Sequence, residues 1–192
     1  MKICGIVGSP NKQGNVDLLV SQVLEGAKSQ GGKIEKIYLN DLKIKPCQDC
    51  KKKPPPKYCF FEDDMAQIYN RLETCDAIVL GSPVYFDTVS AQVKLMIDRS
   101  NCLMPYTTLS DGSLGFLRRI KKKKKGIFVV VAGMDQEFDT ILTTVKGFFN
   151  WANIELAETI LYSHSDENYG EVKDDKSMMK KAFQAGVQLV NR

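Results

Sequence analysis

A chain of 192 residues, 43% hydrophobic and 26% charged, carries enough apolar material for one full globular core and too much to remain disordered. No apolar run approaches the roughly 20 residues that span a bilayer, and the N-terminus lacks a signal-peptide pattern, so a cytoplasmic protein with no membrane partner is expected. The net charge of +4 is concentrated in Lys51 to Lys53 and Lys121 to Lys125. These runs read as solvated surface, because no aromatic residues interleave with the second run and no nucleic-acid motif accompanies it.

In chain order, Ile3, Ile6 and Val7 mark a short apolar strand. A turn, Gly8-Ser9-Pro10-Asn11-Lys12-Gln13-Gly14-Asn15, separates it from a helix whose Val16, Leu19, Val20, Val23, Leu24 and Ala27 recur at helical spacing. Gly31-Gly32 ends that helix, and Lys33 to Leu39 alternates as a half-buried strand. A long connection from Asn40 to about Phe61 leads to a second helix marked by Met65, Ile68, Tyr69 and Leu72, opened by Glu62-Asp63-Asp64 at its positive end. Asp76 to Gly81 is a continuous apolar run, as a central parallel strand requires. After Ser82-Pro83-Val84-Tyr85-Phe86 comes a helix from about Ser90 to Cys102, whose apolar residues wrap beyond one stripe and suggest a subunit interface.

Residues 104 to 120 read as an irregular connection. Gly126 to Ala132 is the most apolar strand and ends at Gly133. The following helix carries Phe138, Ile141, Leu142, Val145, Phe148, Phe149 and Ala152, with Trp151 off its stripe and read as a packed core residue. Leu156 to Tyr162 is a fifth strand, and Met178 to Val190 a final helix. Strands alternating with helices, with no linker and no repeat, imply a single domain over 1–192 built on one doubly wound parallel sheet. In such a sheet the loops after the first, third and fourth strands line one crevice, where a ligand belongs.

The first of those loops has the make-up of an anion site. Unpaired N–H groups of the first helical turn face it, and the helix dipole favours negative charge there. Its spacing matches neither the P-loop nor the dinucleotide fingerprint. Read together with the third loop, it resembles the flavodoxin-like NADPH-dependent FMN reductases, in particular their iron-sulfur flavoprotein branch. The resemblance is carried by Gly8-Ser9-Pro10-x-x-x-Gly14-Asn15 and by the ungapped string from Gly81-Ser82-Pro83-Val84-Tyr85-Phe86 through Val89-Ser90-Ala91-Gln92-x-Lys94 to Ile97-Asp98-Arg99.

The resemblance implies a five-stranded sheet of order 2-1-3-4-5 with helices on both faces. It assigns Ser9, Asn11, Gly14, Asn15 and Val16 to the FMN phosphate, Pro83, Val84, Tyr85 and Phe86 to the isoalloxazine edge, and Gly133 to the same pocket. NAD(P)H would be the co-substrate, and the acceptor a quinone, free flavin, another small molecule or a redox protein. A homodimer or homotetramer is implied as well. No side chain is assigned to acid–base catalysis, since hydride transfer to a flavin needs none. Two departures from the family pattern, Asn11 for an arginine and Val16 for a hydroxyl residue, leave the backbone donors in place.

Six cysteines in a reducing compartment are thiols or metal ligands, and a single histidine, His164, excludes a multi-histidine metal site within one chain. Cys47-Gln48-Asp49-Cys50 and Cys59 lie in the long connection after the second strand, at a place where the iron-sulfur branch carries four cysteines around a 4Fe-4S cluster. Here the third ligand position is Lys53, followed by Pro54-Pro55-Pro56. A cluster needs four thiolates, so the ordering of expectations is no stable cluster, then a labile cluster or three-thiolate zinc at Cys47, Cys50 and Cys59. Cys75 and Cys102, at the ends of helices, are expected to lie away from the cofactor edge. Two rival functions follow from the same residues: an FMN electron carrier that turns over no nicotinamide, and a redox or metal sensor built on the cysteine loop.

Overall fold

A strand that is apolar at every position must be covered on both faces, and the chain has three such runs. A computed structural model describes residues 1–49, 58–133, 137–165 and 170–191. Its regular elements are β1 (Lys2–Val7), α1 (Asn15–Ser29), β2 (Lys33–Tyr38), α2 (Met65–Thr74), β3 (Ala77–Tyr85), β4 (Thr88–Val89), α3 (Ala91–Arg99), β5 (Tyr106–Thr108), β6 (Leu114–Phe116), β7 (Lys124–Ala132), α4 (Asp139–Trp151), β8 (Ile154–Ser163) and α5 (Lys176–Asn191). The apolar runs are β1, β3 and β7, and they occupy the middle of a parallel sheet of order β2-β1-β3-β7-β8. This is the order expected, with β7 and β8 as its fourth and fifth parallel strands.

Alternation along these strands builds two cores. Cys4, Ile6, Ile78, Leu80, Phe128 and Val130 face α2, α3 and α4. Ile3, Val7, Val79, Ile127, Val129 and Val131 face α1 and α5. Those last two helices touch backbone to backbone: a Cβ on Gly26 would collide with the Phe183 carbonyl, and one on Gly186 with that of Val23. No helix among the described residues is long and apolar enough to cross a membrane.

Two elements depart from expectation. β3 does not stop at Gly81: Ser82 and Pro83 pair with Val130 and Val131 of β7, and Val84 and Tyr85 turn back onto Val89 and Thr88 of β4. Proline is tolerated there because Gly81, two residues earlier, points its carbonyl at Gly8 beyond the end of β1. Pro83 therefore faces a side where no further ladder bond is made. The second departure is the connection at 104–120, which contains the β5–β6 hairpin closed through Asp111 and Gly112. Its Phe116 ring lies between Tyr106 (4.6 Å) and Trp151 (5.4 Å), so Trp151 is a half-buried support for the hairpin as well as a partner of the core.

The lysine run at 121–125 is not uniformly solvated. Lys122 pairs with Asp76 at 2.6 Å and Lys123 with Glu155 at 2.7 Å, whereas Lys124 opens β7 and is only 2% exposed. Desolvation, aided by Lys122, lowers its pKa to about 8. Unfolding therefore takes up a proton between about pH 8 and the ordinary 10.5, and stability rises with pH across that window. At pH 7 the buried charge is a full liability. Lys124→Met is expected to stabilise the fold by about 1 to 2 kcal/mol at pH 7, with the gain shrinking as urea melts are repeated toward pH 10.

Candidate functional site

The loop between β1 and α1 is shaped by its own polar groups. Asn11 donates its N–H to Ser9 Oγ (3.2 Å), and Gly14 donates to the Asn11 carbonyl (3.3 Å). Gln13 sits at φ +63°, held by an N–H bond to Asp17 Oδ2 (2.8 Å). Gly14 is the N-cap of α1 and offers no side chain to its first turn. The N–H groups at Asn15 and Val16 thus open toward the loop without a side-chain cap, which is the arrangement that accepts an anion.

The predicted phosphate residues differ in what they present. Ser9 is 5% exposed and Asn11 is open to solvent. Asn15 Oδ1 accepts from the N–H of Val172 (3.1 Å), so its amide nitrogen is what remains for a ligand. The Val16 side chain packs away from the loop, onto the β3 backbone at Gly81. Its backbone N–H, in the first turn of α1, is what it can offer the loop.

Ser90 joins this loop to the end of β3. Its Oγ donates to the Gly8 carbonyl (2.7 Å) and accepts from Val93 N–H as the N-cap of α3, while its own N–H donates to Ser82 Oγ (3.1 Å). Gly8 N–H completes the lock by donating to the Gly81 carbonyl at 2.8 Å. The residues predicted for an isoalloxazine edge therefore lie beside the phosphate loop: Pro83 half-buried, Val84 buried, Tyr85 46% exposed and Phe86 98% exposed. Phe86 and Asp87 form the two-residue turn of the β3–β4 hairpin at φ +49° and +58°. Non-glycine residues there carry backbone strain. Gly133 follows the last residue of β7 at the same sheet edge. Ser90 was legible only as part of a motif string, and an alcohol before a helix is the one local signal that marks it.

Asp17 and Lys36 form a second polar system behind the loop. The carboxylate is 4% exposed and accepts from Lys36 Nζ (2.7 Å), from Tyr38 Oη to both oxygens (3.1 Å each) and from Gln13. Burial opposes its charge, yet these donors hold its pKa below the usual carboxylate value. The Lys12 and Lys36 ammonium groups lie over the Tyr38 ring, 4.9 and 5.0 Å from its centroid and within cation–π range.

The cysteine loop starts at the cofactor edge, where Asn40 accepts from Gln92 on α3 (3.0 Å), but it does not stay there. Both of its ends meet at Arg99, about 13 Å down α3 from Ser90 at 1.5 Å per residue. Arg99 donates to the Lys45 carbonyl (2.8 Å), to both Asp63 oxygens (2.6 and 3.1 Å) and to Cys59 Sγ (3.3 Å), and stacks on Phe61 at 4.9 Å. The guanidinium is a buried clamp, and its need for carboxylate and carbonyl partners draws the loop away from the edge. Cys102 lies in the same region, hydrogen-bonded to Tyr69 Oη (3.3 Å). Burial pushes its thiol pKa up and nearby Cys59 adds to the rise. Cys102, expected to lie away from the cofactor edge, has Cys59 nearby because the loop has itself left that edge.

Of the three candidate metal ligands Cys47, Cys50 and Cys59, the first and last are described. Cys47 is exposed, Cys59 is half-buried against a guanidinium, and no three His, Cys, Asp or Glu side chains gather into a metal-binding group among the described residues. Cys50 and Lys53 lie outside those residues.

Comparison with known proteins agrees with the loop geometry. The family model described as NADPH-dependent FMN reductase matches residues 1–159. An iron-sulfur flavoprotein of Methanocaldococcus jannaschii is 35% identical over 149 residues, 78% of this chain and 72% of that one. One from Archaeoglobus fulgidus is 31% identical over 194 residues, 98% of this chain and 79% of its own length. An FMN-dependent NADH-azoreductase from Bacillus anthracis, solved with FMN, superposes with a TM-score of 0.70 at 17% identity, covering 100% of both chains, which is a likeness of fold. A doubly wound flavodoxin-like sheet, an uncapped helix end facing a Gly-Ser-Pro loop and a matched family model over most of the length lead to one conclusion: this chain belongs to the NADPH-dependent FMN reductase family, whose cofactor is FMN.

Proposed function

We propose that the protein is an oxidoreductase that takes hydride from NAD(P)H onto FMN and passes the electrons to a small-molecule or protein acceptor. The observation that carries this reading is the lock through Gly8, Gly81 and Ser90, which holds the anion loop and the Pro83–Phe86 strand end side by side. Ser9, Asn11, Gly14, Asn15 and the Val16 N–H would receive the phosphate. Pro83, Val84, Tyr85, Phe86 and Gly133 would border the ring, with the exposed Tyr85 and Phe86 rings giving apolar surface to it.

Bound FMN supplies reversible hydride acceptance, and the chain supplies orientation and a site from which water is partly excluded. A single helix-end contact contributes only about 0.3 to 1 kcal/mol, whereas nanomolar retention requires about 12. Ring burial and the loop hydrogen bonds together must provide the difference. The nearly fully exposed Phe86 and the half-exposed Leu95 and Ile97 on α3 support a homo-oligomer that covers this edge.

The test is uptake of FMN by purified protein, followed by anaerobic mixing with NADPH or NADH and then a quinone acceptor. Repeated turnover of nicotinamide is the expected result. Bound flavin that is not reduced by either nucleotide would support the electron-carrier alternative, and a protein that takes up no FMN would overturn the reading.

A further inference from the structure

We infer that Asp17 is the positioning residue of the phosphate loop and that Lys36 on β2 serves to neutralise it, so that α1 can present both a shaped loop and a net positive end to a phosphate ester. This deepens the FMN reading above and rests on it. The loop has an internal difficulty: Gln13 is held at φ +63°, a conformation costly for a residue with a side chain, and the next residue, Gly14, has no side chain with which to cap the helix. Asp17, at the third position of α1, holds Gln13 in place by accepting its N–H at 2.8 Å and leaves the first-turn N–H groups to a ligand.

That solution brings a second difficulty. A carboxylate 4% exposed stands one helical turn from the place where an anion must bind, and like charges at such range in a poorly solvated setting repel. Lys36 Nζ, 2.7 Å from Oδ1, offsets it, and the Tyr38 hydroxyl fixes both oxygens. Lys36 also donates to Ser21 Oγ at 2.8 Å on the next turn of α1. Thus the outer face of an edge strand, which the sequence presents only as half-buried, controls the charge of the phosphate site. Geometry and charge are separable here, because asparagine can still accept from Gln13 while carrying no charge.

The experiment measures FMN and riboflavin dissociation constants side by side, since riboflavin shares the ring and lacks the phosphate. Asp17→Ala is expected to lower the FMN preference about tenfold, the scale of one lost positioning hydrogen bond, with riboflavin affinity unchanged. Lys36→Met should lower it comparably by leaving the carboxylate uncompensated, and Asp17→Asn combined with Lys36→Met should restore it. Circular dichroism establishes that each variant is folded, and a general loss of structure would lower both ligands together.

Wild-type preference for FMN that survives both Asp17→Ala and Lys36→Met overturns this inference and leaves the FMN reading standing. Failure of the double variant to recover overturns the charge-offset part. A wild-type protein that binds riboflavin and FMN equally would overturn the phosphate-loop assignment itself.

Discussion

Gly8→Ala is expected to abolish tight FMN binding and to destabilise the protein by about 1 to 3 kcal/mol, the usual cost of forcing a methyl into a packed site. A Cβ at Gly8 would collide with Val93 Cγ2 and stand 2.8 Å from the Gly81 carbonyl oxygen. Neither can yield freely. Val93 is fully buried on the first turn of α3, and the Gly81 carbonyl already accepts from Gly8 itself. Relief must come from moving the loop, which breaks the Ser90 to Gly8 hydrogen bond and separates the two halves of the site.

Each 1.4 kcal/mol of misplacement is about a tenfold loss in affinity, so flavin titration should show a larger effect than thermal melting. Gly147→Ala is the matched control: it lies on the exposed face of α4 with nothing near its Cβ. That substitution should leave flavin uptake alone and stabilise the helix by about 0.5 to 1 kcal/mol. Equal flavin affinity in the Gly8 variant and the parent would show that the loop does not set the site.

What could be read from the sequence was what repeats or concentrates. The strands β1, β3 and β7 announce themselves because each carries a buried apolar run, Ile3 to Val7, Ala77 to Gly81 and Gly126 to Ala132, and the Gly8 to Asn15 turn because its residues have few other uses. What escaped reading depends on partners distant in sequence. Nothing local says that β3 continues through Pro83, since that follows from β7 being long enough to pair with it and β1 short enough to leave the proline free. The β5–β6 hairpin has strands of three residues each, too short for any periodicity to register. Lys124 sits in a run of five lysines, and only the register of β7 tells which of them is turned inward. Arg99 reads as the last residue of an amphipathic helix, although it is among the largest fully buried side chains of the chain, because its partners lie 36 and 54 positions away.

That arginine sets the other large effect. Its side chain is 1% exposed and that of Asp63 is 6% exposed, and Arg99 Nε has no hydrogen-bond partner among the described residues. Asp63→Ala is therefore expected to cost about 3 to 5 kcal/mol, since it strands a cation in the interior rather than merely deleting a contact. Removing both charges with apolar replacements, Asp63→Leu with Arg99→Met, should recover much of that stability. It should not recover the loop. Lys45 and Cys59 would have lost their common donor, so proteolysis between residues 45 and 59 should be faster in the double variant than in the parent at matched stability.

Acid titration gives an independent check on the same pair. Burial opposes the Asp63 charge, but Arg99 and the N–H groups of Lys45 and Met65 outweigh it and hold the carboxyl below its ordinary value of 3.8. A carboxylate depressed in the folded state stabilises fully above its unfolded value and loses that contribution as pH falls through the folded one. Parent protein should thus weaken on acidification below about pH 4, and Asp63→Asn should flatten that part of the curve. An unchanged acid limb would mean that Arg99 is held by its carbonyl and aromatic partners alone, and that the ion pair is incidental to the clamp.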